Sequence, residues 1–537
     1  MDEPIATLER DSPKEAAHAA RHVPPGRGPI KAGRLAGLTM SRAIWVLAWP
    51  ILIESVLNST VGLVDTMLAS GISKAAADGV AAAAYMLWFV GLITTAIGVG
   101  ATALISRSLG AGHKAVANAA LGQAVILAAC AGVVVGAAMA AAAPTLAGLF
   151  SLGPVATGDF VRYMRAISVG VPFSTVMFAG IACARGAGDT LRPLWAMVIV
   201  NVVNLAVAWL LAGHDFATTS LVNGEAVRSV WLRHPMPEWM HLDALGIGLG
   251  TMCAHMTGAA VIVLFHLRGR SGIVLKKLWM RFHAVTVKRL VRLGLPNFFE
   301  MLGMWAGNML VVLMVSLLNA SHARDAAAAL AATSGTDGEG GGLLGAHLIA
   351  IRIEAYSFMP GFSMGIAAGA LAGQYLGAGV PQMARRAALR CAAIAAGIMG
   401  LMGLGFIFAG KAMAGVVSAQ AEHLELAPKL LVITGCVQVP FALAIVLRSA
   451  MHGAGDVRAV MVMTWISTWG LRLPLAYAIS GVDIPIPAWL GGGVLLNPFP
   501  FHLGLAGLWI GLCMEIVLRC AIYSARFIQG GWLKARV

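Results

Sequence analysis

The chain has 537 residues, 59% of them hydrophobic and 12% charged, with a mean hydropathy of +0.81. Soluble domains carry about a quarter charged residues, so a soluble globular protein with polar outer helix faces is excluded. The formal charge of +14 sits mainly in connections between apolar stretches, where basic residues orient helices in a membrane, and this distribution excludes nucleic acid as the partner.

Residues 1–41 are charged, rich in Ala, Pro and Gly, and contain no long apolar core, so they read as a disordered cytoplasmic tail and not as a secretory signal. Six apolar spans follow at 43–69, 79–105, 117–142, 160–183, 191–213 and 244–267, each long enough to cross a hydrocarbon core of about 30 Å. They make an N-terminal lobe over 42–267. The connection 268–291 is basic; from Arg268 to Arg292 there are eight Lys/Arg and no acid. A C-terminal lobe over 292–537 holds spans at 292–318, 343–371, 384–409, 429–450, 458–480 and 503–527, then a short tail. The fold expected is an all-α polytopic membrane protein of twelve transmembrane helices in two six-helix lobes. Alternate connections are basic, whereas 319–342 carries Asp325, Asp337 and Glu339 against one Arg, so both termini are expected on the cytoplasmic side. That connection is Ala/Gly-rich and reads as a flexible linker. The connections 214–243 and 481–502 read as long outer loops. Seven cysteines without a CxxC pair read as small buried hydrophobes, and no metal-ligand cluster or cofactor motif is present.

Two phrases recur at one spacing. Gly-Ala-Gly-Asp stands at 186–189 and 453–456, and Leu-Gly-Ala-Gly at 109–112 and 376–379, both 267 residues apart. Pro50 and Glu54 of the first span answer to Pro296 and Glu300 of the seventh at an offset of 246. Repeats come first in reading architecture, and a duplicated apolar chain is the mark of a secondary transporter. The Gly-Ala-Gly-Asp phrases read as tight turns whose aspartates cap the next helix; no phosphate-loop pattern accompanies them.

Polar groups inside spans are costly and mark cavities, pathways or interhelical bonds. The first span carries Glu54, Asn58 and Asp65 at i, i+4 and i+11, on one face of a helix that Pro50 bends. Asp65 either caps the outer helix end or couples transport to a cation; Glu54 and its mate Glu300 either pair with neighbouring helices or line the cavity. Asn201 and Asn204 of the fifth span are candidates for a cavity or for interhelical hydrogen bonds. In span eight Arg352 and Glu354 do not share a face, so each meets another helix. His255 and Glu515 fall at matching places in spans six and twelve.

With these residues the chain resembles the multidrug and toxic compound extrusion (MATE) family. The resemblance rests on Pro50 with Val64-Asp65-Thr66, Ser106 to Gly112, Gly186 to Asp189, Asn201-Val-Val-Asn204, Arg352-Ile-Glu354 through Phe358-Met-Pro-Gly-Phe362, and Gly373 to Gly379, over about residues 40–530. It implies two lobes related by a pseudo-two-fold axis and an antiporter of the cell inner membrane. Such a carrier exports small organic, often cationic, compounds in exchange for protons or sodium ions, without a further cofactor. Carried over, the cation-coupling set is Asp65, Asn204 and Thr251, with Asp65 and Asn204 as the place for sodium if sodium is the ion. The family often has an aspartate where Ala208 stands, and Glu54 is the candidate to replace it. The substrate cavity would use Glu54, Asn58, Glu300, Asn201 and Glu354. The partners expected are a small organic substrate and the bilayer, with the chain acting as a monomer. The alternatives are a flippase for a lipid-linked saccharide, whose cavity should be lined by Arg and Lys, and a membrane-embedded enzyme, for which no catalytic constellation is visible.

Overall fold

The computed structural model describes residues 30, 34–149, 152–214, 216–222, 225–235, 237, 241–333, 342–417, 420–486, 492–535 and 537; the tail expected over 1–41 therefore lies largely outside the described residues. The twelve apolar stretches are helical. Among the described residues nine helices are long and apolar enough to cross a membrane, or ten when one bent pair is taken as a single span. Contacts divide the chain into two compact units. The first comprises the chain up to Phe298 with Gly373–Ala384 and Val537, and the second Phe299–Ala372 with Arg385–Arg536.

In the first unit, α1 (Met40–Ile72), α2 (Lys74–Gly110), α3 (Lys114–Leu149), α4 (Pro154–Gly186), α5 (Leu191–Ala212) and α6 (Asp243–Leu267) follow in order. Helix α4 is the centre, packed against α2, α3 and α6, while α5 lies along α6 and α1. The approach of α5 to α6 is close because α6 offers glycines. A Cβ on Gly246 would collide with the Leu211 backbone, and one on Gly250 would sit 2.5 Å from Ala208. Small residues that let helix backbones meet are the usual packing device in membranes. After α5 the outer connection is not only loop: β1 (Phe216–Val222) and β2 (Glu225–Leu232) pair antiparallel. The all-helical expectation is corrected to that extent.

In the second unit, α7 (Ala284–Thr333) enters from the first, followed by α8 (Gly342–Gly377) and α9 (Pro381–Val417). The expected flexible linker 319–342 is helical as far as Thr333, since its Ala-rich run from Ala326 has the best helix-forming side chain; residues 334–341 lie outside the described residues. The tenth span is two helices, α10 (Ala421–Gly435) and α11 (Gln438–Ala454), bent by 57°. Pro440 supplies the reason, because it has no N–H to return to the Cys436 carbonyl. The eleventh span is α12 (Val457–Trp465), a π-helical segment Ile466–Arg472, and α13 (Leu473–Ser480). Pro474 interrupts the regular ladder just there. A two-residue pairing, β3 (Ile484–Pro485) with β4 (Val494–Leu495), precedes α14 (Gly504–Gln529).

The repeated glycine phrases are four copies of one helix stop. Gly112, Gly188, Gly379 and Gly455 have φ between +78° and +93°. In each, the N–H of the following residue reaches back five positions: His113 to Ser108, Asp189 to Ala184, Val380 to Tyr375, Asp456 to Met451, at 2.8–3.0 Å. This is the Schellman stop, whose left-handed residue is glycine because a Cβ is penalised there. The aspartates, expected to cap the next helix, make no side-chain cap. Asp189 instead takes Arg34 and Arg192, and Asp456 takes Arg526, so they pin neighbouring segments by charge.

Candidate functional site

The centre of the first unit holds one carboxylate that no cationic side chain neutralises. Asp65, in α1, is 4% exposed. Tyr163 of α4 and Thr251 of α6 each donate to its Oδ2 at 2.8 Å, and Asn204 of α5 approaches Oδ1 at 3.3 Å. Asn204 also donates to Thr251 Oγ1 at 2.9 Å. Four helices therefore converge on one acid through neutral groups, and among the described residues Asp65 makes no ion pair. The Gly250–Ala208 contact sets the geometry: it brings Thr251 of α6 against Asn204, one turn before Ala208 on α5. Ala208 is fully buried in that seam, so no side chain larger than alanine fits there without moving α6.

A buried acid satisfied only by hydroxyls and an amide differs chemically from an ion pair. With no fixed positive charge to neutralise it, its charge is compensated by a proton or a bound cation. The donor set suits either. Asn204 Oδ1 is buried without a hydrogen-bond partner, an orphaned oxygen beside the carboxylate and the Thr251 hydroxyl, and hard cations prefer oxygen ligands. The structure thus brings Asp65, Asn204 and Thr251 together, as the residues expected to form one set. It adds Tyr163, which that set lacks. The signal available is a tyrosine, one of only six in the chain, inside an apolar span where its hydroxyl needs a partner.

The other acids are placed differently from expectation. Glu54 and Glu300, expected to line a cavity as free carboxylates, are each neutralised inside their own unit. Glu54 is 2.8 Å from Arg185, the last turn of α4, with side-chain exposure of 3%. Glu300 accepts from Arg448 at 2.5 Å and from Thr464 at 2.9 Å, lies 3.0 Å from His452, and is fully buried. A desolvated carboxylate needs such a countercharge, which is why the arginines are there. Glu54 also stands apart from the Asp65 group, 11 residues or about 16 Å along α1. Among the remaining candidates, Asn58 is exposed, Asn201 turns its amide back to the Met197 carbonyl of its own helix at 2.9 Å, and Glu354 accepts from Thr434 on α10. His255 is packed edge-on to Phe178. Glu515 is held between two arginines, Arg472 at 3.0 Å and Arg519 at 2.6 Å, with Ser467 also donating to it.

With this geometry in hand, comparison with known proteins decides the family. A family model described as MatE matches residues 50–210 and 340–478. The chain belongs to the MatE family. This MatE chain is 24% identical over 500 residues to a probable multidrug resistance protein NorM of Thermotoga maritima, covering 91% of the chain and 93% of the relative. It is also 24% identical over 507 residues to the multidrug resistance protein PmpM of Pseudomonas aeruginosa, covering 91% and 92%. Among solved structures, a MOP superfamily transporter from Pyrococcus furiosus aligns with TM-score 0.76 at 16% identity, covering 96% of this chain and all of that one. The Vibrio cholerae MATE transporter VcmN, in a bent form, aligns with TM-score 0.73 at 15% identity, over 92% and 97%. The fold of this MatE chain is therefore that of membrane transporters, and the Asp65 group lies within the matched residues except for Thr251.

Proposed function

We propose that the chain is a multidrug efflux antiporter of a bacterial inner membrane, exporting small organic, preferentially cationic, compounds in exchange for protons or sodium ions. Its relatives carry multidrug-resistance names and span nearly the same length. The observation that carries the mechanism is the Asp65 carboxylate, buried and held by Tyr163, Thr251 and Asn204 with no ion pair among the described residues. A group in that state is bistable. Loaded with a proton or a cation it is neutral and stays in the apolar interior; unloaded it favours an arrangement that admits water. Alternation between the two drives exchange if only one is compatible with bound substrate. The two six-helix lobes, 42–267 and 292–537, are the bodies that alternate, the basic connection 268–291 and both termini are cytoplasmic, and the working unit is the monomer. Glu54 with Arg185 and Glu300 with Arg448 act as fixed locks within their helix sets.

The test is transport in proteoliposomes with a pH gradient and a sodium gradient imposed separately, using rhodamine 123 as the lipophilic cation. Dye movement driven by neither gradient would reject antiport. Orientation is checked in intact cells of a cysteine-free background. Glu225→Cys should react with an impermeant thiol reagent from outside and Lys276→Cys should not; the reverse pattern overturns the topology.

A further inference from the structure

The second unit carries a polar group that the coupling mechanism leaves unused. On the eleventh span, the π-helical segment Ile466–Arg472 sends Ser467 and Arg472 to Glu515, while Arg519 reaches Glu515, Ser467 and Thr468. π-helical turns are uncommon and gather at functional sites. The guanidinium of Arg472 is only partly used: Nε and Nη2 donate to Glu515 Oε2 at 3.1 and 3.0 Å, and Nη1 donates to Asn308 Oδ1 at 2.6 Å. A guanidinium has five N–H groups, so two remain, on the edge next to Asn308. Asn308 is exposed, although it lies midway along a span. A polar amide beside an arginine there is costly against hydrocarbon, so this face borders water.

The same face carries two tryptophans. Trp465 and Trp469 are stacked, with ring centroids 6.1 Å apart and 26° between planes, and are 42% and 39% exposed. Trp465 is fixed by its Nε1 bond to the Phe299 carbonyl at 3.0 Å and by packing on Gly303, where a Cβ would come within 2.8 Å of its ring. Glu354, partly exposed on α8, lies within electrostatic range of Arg472. A flat apolar platform, an available guanidinium edge and a carboxylate thus share one region of one unit. Rings stack on tryptophan, and a carboxylate pairs with a guanidinium in bidentate fashion.

We propose that this region is a substrate subsite for planar aromatic zwitterions, with the ring on Trp465 and Trp469, the substrate's carboxylate on the free edge of Arg472, and its cationic group toward Glu354. The assignment rests on the export function above and adds a substrate class to it. Since Glu354 and Glu515 balance Arg472 and Arg519, the subsite does not attract anions in general; it selects molecules carrying both charges.

Rhodamine 110 and rhodamine 123 test this directly, because they share one ring system and differ by a free carboxylate against its methyl ester. Binding to purified full-length protein is read by dye anisotropy. The wild type should bind rhodamine 110 more tightly. Arg472→Gln, which keeps donors toward Glu515, should weaken rhodamine 110 by about tenfold and rhodamine 123 by less than about threefold. Trp469→Ala should weaken both dyes alike, by roughly fivefold. If Arg472→Gln fails to fold, Asn308→Ala decides: it frees Nη1 and should tighten rhodamine 110 alone. Equal losses of both dyes in Arg472→Gln, no effect of Asn308→Ala, or no rhodamine 110 binding by the wild type overturns the subsite. The export reading fails separately, if wild-type proteoliposomes move neither dye under either gradient.

Discussion

The Asp65 group and the place that answers to it in the second half differ in every member. At the repeat offsets of 246 for the first span, 267 for the fourth and fifth, and 261 in the last helix (Gly246 to Gly507), Asp65, Tyr163, Asn204 and Thr251 correspond to Val311, Leu430, Leu471 and Leu512. Three of these, Val311, Leu430 and Leu512, lie in one apolar core. The converse also holds. Glu515, Arg472, Arg519 and Ser467 correspond to Ala254, Leu205, Gly258 and Val200. What both halves retain is scaffold: the four glycine stops, the close glycine seams of the last helix, and an acid four residues after a proline that meets the basic residue preceding Gly-Ala-Gly-Asp, Arg185 in one half and His452 in the other. Polar residues present in one half alone are candidates for chemistry, and those present in both are candidates for architecture.

The largest expected effect breaks that comparison at its centre. Asp65→Asn should reduce gradient-driven export by about a hundredfold or more while leaving a folded protein in the membrane, because it removes the only charge in the group. Val311→Ala, at the corresponding place, should cost about 1–3 kcal/mol of stability and leave coupling intact. Both are read by transport in proteoliposomes and thermal unfolding in detergent. Export by Asp65→Asn at the wild-type rate would remove Asp65 from the mechanism.

A second pair of variants addresses the shared acids. Removing one partner of a buried ion pair leaves an uncompensated charge, at a cost of about 3–5 kcal/mol. Arg448→Met should fall in that range, since Glu300 is fully buried. Arg185→Met should cost less, since that arginine is itself 21% exposed and makes a single contact to Glu54. Thermal unfolding measures both. If either variant instead kept full stability and lost dependence on the driving ion, the pair would belong to coupling and not to architecture.

Much of this molecule is legible in its sequence. The twelve spans, the duplication and the set Asp65, Asn204 and Thr251 follow from hydropathy, repeated phrases and family resemblance. Pairing across helices is not legible, because residues 54 and 185, or 300 and 448, share no sequence spacing that brings them together. For that reason Glu54 and Glu300 read as free acids. Tyr163 escapes notice for the same reason, lying 98 residues from Asp65 in the chain. The break at Cys436 and the π segment before Pro474 are consequences of prolines inside spans. The prolines are plain in the sequence, but their local geometry depends on how neighbouring helices resatisfy the backbone. The match of His255 with Glu515 is off by one residue; in the register set by the glycine seam, Glu515 answers to Ala254.

The smallest effect worth measuring is Tyr163→Phe. Its hydroxyl is one of three donors to Asp65 and shares Oδ2 with Thr251, so its loss leaves the carboxylate with Thr251 and Asn204. The ring and its packing in the first unit's core remain, and the apolar volume is unchanged. A hydrogen bond to a charged group contributes about 1.5–3 kcal/mol, less what the remaining donors recover. The concentration of driving ion needed for half-maximal export should therefore shift by about five- to tenfold, while the maximal rate and thermal stability change little. A purely structural tyrosine would behave otherwise, lowering stability without moving the ion dependence. A collapse of coupling equal to that of Asp65→Asn would say that the hydroxyl itself carries the proton to the acid. An ion dependence identical to wild type would show that Asn204 and Thr251 alone define the site, and that the convergence of α4 on Asp65 serves packing.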